Sequence, residues 1–339
     1  MQKWEILSSH NYDGVVTSIE FNDSGIAISN NKEIHFIDFR GNKNWSVQMP
    51  FKPYQIKSNN GNLFGILMGN GFIVINSETG EQLHEGRSTQ GGFSQIINRP
   101  GGGWVLSDRH EQLHIFNEQG YGIKRLFSGK IRKLIGWLDR EHLLIHDGDG
   151  TLRCVRLMAQ STQRQIEEKI WSWSSKLENG ELLMQSLEGE IWKGKPNTNG
   201  WDELIHITDK CLEPLISVYS NEDWWIMNME SKVFNIKTNQ VFENLGHLIS
   251  SNSKDIIAVV NNEGLLRIIA SPELIKKKND EISYEHEKIK YSLNSENRQN
   301  IFRLAKNAEA IKDYENAKKL YESIGIENIK LESEGMKDE

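Results

Sequence analysis

Leu143-Leu-Ile-His-Asp-Gly-Asp-Gly-Thr-Leu152-Arg-Cys-Val155 is an apolar run, a Gly-rich polar turn, and a second run with apolar residues at alternate positions. Such text reads as a β-hairpin, because successive strand side chains point to opposite faces while Gly and Asp supply the turn. The pattern recurs at residues 26–37, 67–75, 104–116, 182–192, 225–236 and 256–269. The first apolar residues after the turns are Ile34, Phe72, Leu113, Leu152, Ile191, Val233 and Leu266, spaced by 38, 41, 39, 39, 42 and 33 residues. A period of ~40 residues is that of a propeller blade. A doubly wound sheet would need a helix between successive strands.

Each hairpin has company. Apolar pairs precede it, as in Ile19-Glu-Phe21, Tyr54-Gln-Ile56, Trp171-Ser-Trp173 and Ile216-Ser-Val218. A second turn and a fourth strand follow it, as in Arg40-Gly-Asn-Lys-Asn-Trp45-Ser-Val47 and Glu78-Thr-Gly80-Glu-Gln-Leu83. Four strands per repeat make one blade. The seventh repeat lacks its fourth strand, since Ile269-Ala-Ser-Pro runs into helical text, while Trp4-Glu-Ile6-Leu7 is a strand without a repeat. Pairing the spare strand onto the incomplete blade closes the ring and removes an exposed β edge. The expected fold is all-β: a seven-bladed β-propeller of four-stranded blades closed by the N-terminal strand, with a short α-helical C-terminal extension.

By period and hairpin pattern, residues 1–270 resemble the WD40 and quinoprotein-like propeller superfamily. The Thr79-Gly80 turn is similar to the quinoprotein type of blade, and no recurring Gly-His and Trp-Asp pair marks the WD40 type. The resemblance implies a rigid ring that presents loops.

All ten Trp fall between Trp4 and Trp225, whereas only Gly325 and Gly335 remain past Ser271 and the text turns rich in Lys, Glu and Asn. Ser271-Pro272-Glu273 is a helix start, with an N-cap candidate, Pro at the first helical position and an acidic first turn. The expected division is therefore a propeller over 1–270 and a helical tail over 271–339. Within the tail, 294–298 opens a helix with Ile301, Leu304, Ala305, Ala308 and Ile311 on one stripe. A second helix carries Tyr314, Ala317, Leu320, Tyr321 and Ile324. The stretch Ala305–Tyr321 resembles one tetratricopeptide-type helix pair, with Ala305 and Ala317 allowing close approach. One such repeat cannot bury its stripe alone, so Leu304 and Tyr321 are expected to serve an interaction. Residues 327–339 are expected to fray.

A net charge of −7 argues against general affinity for nucleic acid. Lys276-Lys277-Lys278, the dense basic run, reads as a solvated helix face. Cys154 and Cys211 make no disulfide framework and lack metal-type spacing. The N-terminus, Met1-Gln2-Lys3-Trp4-Glu5-Ile6, carries charge within any apolar core, and no stretch nears the ~20 apolar residues of a membrane span. The expectation is a soluble, cytoplasmic protein.

Chemical motifs are sparse. His110-Glu-Gln-Leu-His114 has a metal-like spacing but lies across a hairpin instead of on a helix. Asp147-Gly-Asp149-Gly150 begins like a calcium loop, yet Thr151 and Met158 stand where further ligands would be needed. Gly101-Gly102-Gly103 after Pro100 reads as a turn, and Trp171, Trp173, Trp224 and Trp225 read as packing between blades. No catalytic residue, metal site or cofactor is expected.

The sequence therefore points to a non-enzymatic scaffold with protein partners. The turns joining the middle two strands of each blade share one face, so the candidate contact residues are Asn31, Asn70, Arg109, His110, Asp147, Asp149, Glu188, Glu230 and Asn262, with Leu304 and Tyr321 in the tail. The alternative is a channel-mouth enzyme, a quinoprotein-like oxidoreductase or a hydrolase. The quinoprotein resemblance would imply a periplasmic enzyme with adjacent cysteines, and Cys154 and Cys211 stand 57 positions apart.

Overall fold

The structure is a computed structural model, and it describes residues 3–39, 41–88, 91–157, 163–209, 213–243, 245–293, 298–324 and 326. Cys211, Met158, the helix opening at 294–297 and residues 327–339 lie outside them. Two compact units emerge, one of residues 6–269 and one of residues 1–5 with 270–339.

The first unit holds seven four-stranded antiparallel sheets. Six are simple meanders, spanning residues 16–48, 53–87, 93–127, 131–165, 171–208 and 214–242 (blades 1 to 6). The seventh takes three strands from 248–270 and its outer strand from Glu5–Asn11, which pairs with Leu265–Ala270. The spare N-terminal strand thus completes the blade that lacks one, as its sequence predicts.

The second strand of each blade explains the near-continuous apolar text of the repeat. Gly25–Asn30, Trp104–Asp108, Leu182–Ser186 and Ile256–Val260 are buried at every position. They lie mid-radius, covered on both faces by the neighbouring blades, so both side-chain rows must be apolar or small. Outer strands such as Lys43–Gln48 and Gly122–Phe127 alternate between exposed and half-buried side chains. The core is accordingly a series of layers between blades. Ala27, Ile34 and Phe36 of blade 1 pack on Ile56, Leu63 and Ile73 of blade 2, and Phe64 and Phe72 of blade 2 pack on Trp104 and Phe116 of blade 3. Trp104, Trp171 and Trp225 are fully buried, as expected of packing residues.

The innermost strands surround the channel and are tied to one another around the ring. The Thr17 hydroxyl donates to the Pro53 carbonyl (2.6 Å), and the Gln95 side chain both donates to the Arg132 carbonyl (2.7 Å) and accepts from the Leu134 N–H (2.7 Å). Arg132 reaches the Ser172 carbonyl (3.1 Å), the Trp173 indole the Leu215 carbonyl (3.2 Å), and His247 the Val16 carbonyl (3.0 Å).

In the second unit, α1 (Pro272–Leu293) starts where the sequence places it, with the Ser271 hydroxyl accepting the Leu274 N–H (3.3 Å). α2 (Arg298–Ala310) and α3 (Tyr314–Ser323) follow. Asp313 caps α3 by accepting from the Asn316 N–H (3.3 Å). Ala305, Ala308 and Ala317 are fully buried between α2 and α3, and Tyr284 of α1 joins the same cluster with Leu304 and Tyr321. The stripe expected to need outside cover is covered within its own unit by α1. Among the described residues no helix is long and apolar enough to cross a membrane.

Candidate functional site

In an antiparallel meander, the turn between strands two and three and the link from one blade's outer strand to the next blade's inner strand fall at the same end. Seven such turns and their links therefore make one face. The residue that ends the second strand often caps the turn with its own side chain. Asp108 accepts from the N–H groups of His110 (2.8 Å) and Gln112 (2.9 Å), while its other oxygen bonds His114 (2.8 Å). Asn228 serves Glu230 (3.1 Å) and Lys232 (3.0 Å), and Asn261 serves Glu263 (3.0 Å) and Leu265 (2.8 Å). Such Asx turns fix the tips without using the tip side chains.

Asn31, Asn70, Arg109, His110, Asp149, Glu188, Glu230 and Asn262 accordingly sit exposed on this face. Asp147 does not: it is buried, bonded to the Gly148 N–H (2.7 Å) and paired with Arg153 (2.5 Å). The Asp149 carboxyl, held low by hydrogen bonds from the Thr151 backbone and hydroxyl, closes a turn, in keeping with the reading of this loop as a hairpin. Leu304 and Tyr321 are buried inside the helical unit.

The sequence reading missed the apolar content of the same face. Ile170, Leu187, Leu215 and Met229 are exposed by 44, 66, 43 and 69%. They cluster on blades 5 and 6. Strand pairing of Trp171 with Ser186 sets Ile170 beside Leu187, and pairing of Pro214 with Asn228 sets Leu215 near Met229. The Trp173–Leu215 hydrogen bond joins the two blades here. Exposed carboxylates of Glu168, Glu188, Glu213 and Glu230 rim the patch. Among the described residues only Glu230 of the four has a side-chain ion pair, to Lys232 at 2.9 Å, which raises the lysine's proton affinity. Across the ring, blades 2 to 4 present Lys52, Arg87, Arg109, Lys130 and Arg132. Exposed Glu111 and Asp149 stand among these cations, so the face is of mixed charge there, while the apolar side chains gather on blades 5 and 6. A turn residue such as Leu187 reads in sequence as one apolar letter in a loop, so only the ring reveals its neighbours.

Chemical groups elsewhere are mostly engaged. Burial pushes the Cys154 thiol up to about 11, which leaves it a poor nucleophile. His114, the second histidine of the metal-like spacing, is bound to Asp108. Glu190, His206 and Asp209 on blade 5 bring ligand atoms within 4.8 Å of one another. Glu190 already accepts from the Trp192 indole (3.0 Å), and His206 pairs with Asp209 (2.9 Å), so these groups satisfy each other. On the inner strands, the Lys57 ammonium pairs with the buried Glu20 carboxylate (2.5 Å), and the Lys133 ammonium donates to the Ser174 carbonyl (2.5 Å).

Fold and face together define a seven-bladed β-propeller with a C-terminal three-helix unit. Among solved structures it is similar to the crystal structure of BamB from Moraxella catarrhalis, with a TM-score of 0.54 over 79% of this chain and 100% of that one, at 11% identity. At that identity the likeness is one of fold. No family model and no curated protein matches the chain.

Proposed function

We propose that this protein is a non-enzymatic, cytoplasmic scaffold that binds a protein partner through the acid-rimmed apolar patch on blades 5 and 6. One observation carries the reading: four large apolar side chains stand exposed together on the face built from the blade turns. Contiguous exposed apolar surface marks interaction sites on soluble proteins. The carboxylates of Glu168, Glu188 and Glu213, exposed and without an ion pair among the described residues, suit a partner segment that carries Lys or Arg beside its apolar anchors. The helical unit, whose α2–α3 pair is tetratricopeptide-like, is a second contact element. The enzyme alternative would rest on the channel carboxylates and amines and on the Ser174 hydroxyl bonded to His146 (2.9 Å), a pair that is buried.

The test is capture of partners from the native cell with wild-type protein and with Leu187→Asp/Met229→Asp. Both positions are exposed, so the ring should keep its thermal midpoint. A partner lost on the double variant, and weakened by Glu188→Lys, supports the reading. Equal recovery on both proteins overturns it.

A further inference from the structure

Blade 5 departs from its neighbours at one point of its outer ladder. Where the third strand of a blade pairs with the fourth, blades 1, 2 and 3 each carry one bulge, at the end away from the turn face. The same ladders of blades 4 and 6 carry none. Blade 5 has that common bulge and a second one at the turn-face end. There Trp192 pairs with His206 and Ile191 with Thr208, which leaves Ile207 as the extra residue. A bulge re-aims the side chains beside it. In an unbroken strand residues three apart point to opposite faces, so His206 and Asp209 would diverge. Here a His206 ring nitrogen and an Asp209 carboxylate oxygen lie 2.9 Å apart. Glu190, which precedes the third strand (Ile191–Asn197), brings a third donor, and the three ligand atoms lie within 4.8 Å of one another.

We propose that Glu190, His206 and Asp209 form a binding site for one Zn2+ ion at the turn-face end of blade 5.

One imidazole and two carboxylates are a donor set that zinc accepts, whereas Mg2+ and Ca2+ favour oxygen alone. Tetrahedral zinc, with bonds of about 2.0–2.2 Å, wants its donors roughly 3.3 Å apart. The remaining gap closes by small side-chain rotations, to which Asp209, 86% exposed, is free. The His206–Asp209 contact is no obstacle, since an exposed pair of this kind is weak and metal bonds to both groups replace it. Neighbouring groups hold the ligands in place. The Trp192 indole donates to one oxygen of Glu190 (3.0 Å) and its ring stands edge-on to His206, with centroids 5.1 Å apart. The Glu190 N–H bonds the Ser186 hydroxyl (3.2 Å), and its carbonyl accepts the Ser186 N–H (2.9 Å). Metal-binding carboxylates are commonly fixed by hydrogen bonds of this sort. Lys169 lies over the Trp192 ring (4.1 Å) and, among the described residues, forms an ion pair with neither carboxylate. Three protein ligands leave an open position on the metal for water. The site stands on the geometry of blade 5 and is independent of the partner proposed for the apolar patch.

The test is calorimetric titration of the full chain with Zn2+ in neutral, chelator-free buffer, which should show one saturable site that excess Mg2+ does not compete for. Loss of an outer partner of a metal ligand already costs ~10–100-fold in affinity. His206→Ala, Asp209→Ala and Glu190→Gln should therefore each weaken binding at least ~10-fold. His110→Ala, on the exposed turn of blade 3, should leave it unchanged. Zinc should raise the thermal midpoint of wild type and of His110→Ala but not of the three ligand variants. The Co2+ form should show visible absorption without the near-ultraviolet charge-transfer band of a thiolate. Absence of saturable binding, wild-type affinity in any one of the three ligand variants, loss of binding in His110→Ala, or a thiolate band in the Co2+ form would each overturn the proposal.

Discussion

The Trp45 indole, on the outer strand of blade 1, donates its N–H to the Ser77 carbonyl of blade 2 at 3.0 Å. Its ring lies against Gly80, where an added Cβ would come within 2.9 Å of it. This latch joins neighbouring blades at their outer edges, far from the channel-side ties. His84 holds the same position on blade 2 and meets Tyr121 of blade 3, with ring centroids 4.5 Å apart.

Gly80 has φ of +76°, a left-handed conformation, as well as the Trp45 ring above it. Gly80→Ala should therefore cost about 1–3 kcal/mol through strain and contact together. Trp45→Phe removes the hydrogen bond but keeps a ring, and should cost about 1 kcal/mol. Chemical denaturation of both variants checks the order. Gly80→Ala as stable as wild type would show that the latch has slack.

His146 sets a pH limit on stability. Its ring is buried, with one nitrogen bonded to the Ser174 hydroxyl (2.9 Å) and the other to the Trp171 carbonyl (3.1 Å). Burial, reinforced by Arg132, lowers it from 6.5 to about 4. Above pH ~6.5 it is neutral in both folded and unfolded chains, and its contribution is full. As pH falls toward 4 the unfolded chain gains a proton that the folded one refuses, and up to ~3 kcal/mol is lost. His146→Gln should flatten the decline of thermal midpoint over this window. A parallel decline in both proteins would assign the loss to other groups.

Closure by the N-terminal strand has a simple test. Deleting residues 1–11 strips the outer strand from blade 7 and bares the edge of Leu265–Ala270. The truncated protein should melt earlier and self-associate, because an open edge recruits other strands. A monomer with an unchanged midpoint would contradict the closure.

In the helical unit, Leu304→Asp with Tyr321→Asp puts two charges into the cluster shared by α1, α2 and α3. Limited proteolysis should then cut within 271–326 while residues 6–269 survive. Unchanged resistance would mean that the cluster contributes little.

The sequence carried the ring because blade packing imposes it. A second strand buried on both faces is largely apolar, so Gly25–Asn30 and Ile256–Val260 announce themselves, and their spacing counts the blades. Trp4-Glu-Ile6-Leu7 was legible as the closing strand because the last repeat lacked one. Other features were hidden for a physical reason: they are made by residues tens of positions apart. Leu187 and Met229 are single letters in turns until blades 5 and 6 stand side by side. Lys57 and Lys133 look like ordinary surface lysines until the Glu20 carboxylate and the Ser174 carbonyl meet them. Asp147, placed by its turn on the outer face, is drawn inward by Arg153.

The most direct measurement of the binding claim is site-specific photocrosslinking in the native cell. A photoreactive residue is placed at Leu187 or Met229 on the turn face, and at Leu83 or Val241 on outer strands, all four exposed positions. The account predicts that Leu187 and Met229 crosslink to one and the same protein, through a segment bearing basic and apolar residues, and that Leu83 and Val241 do not. Crosslinks to that protein from the outer strands alone, or none from the turn face, would contradict it.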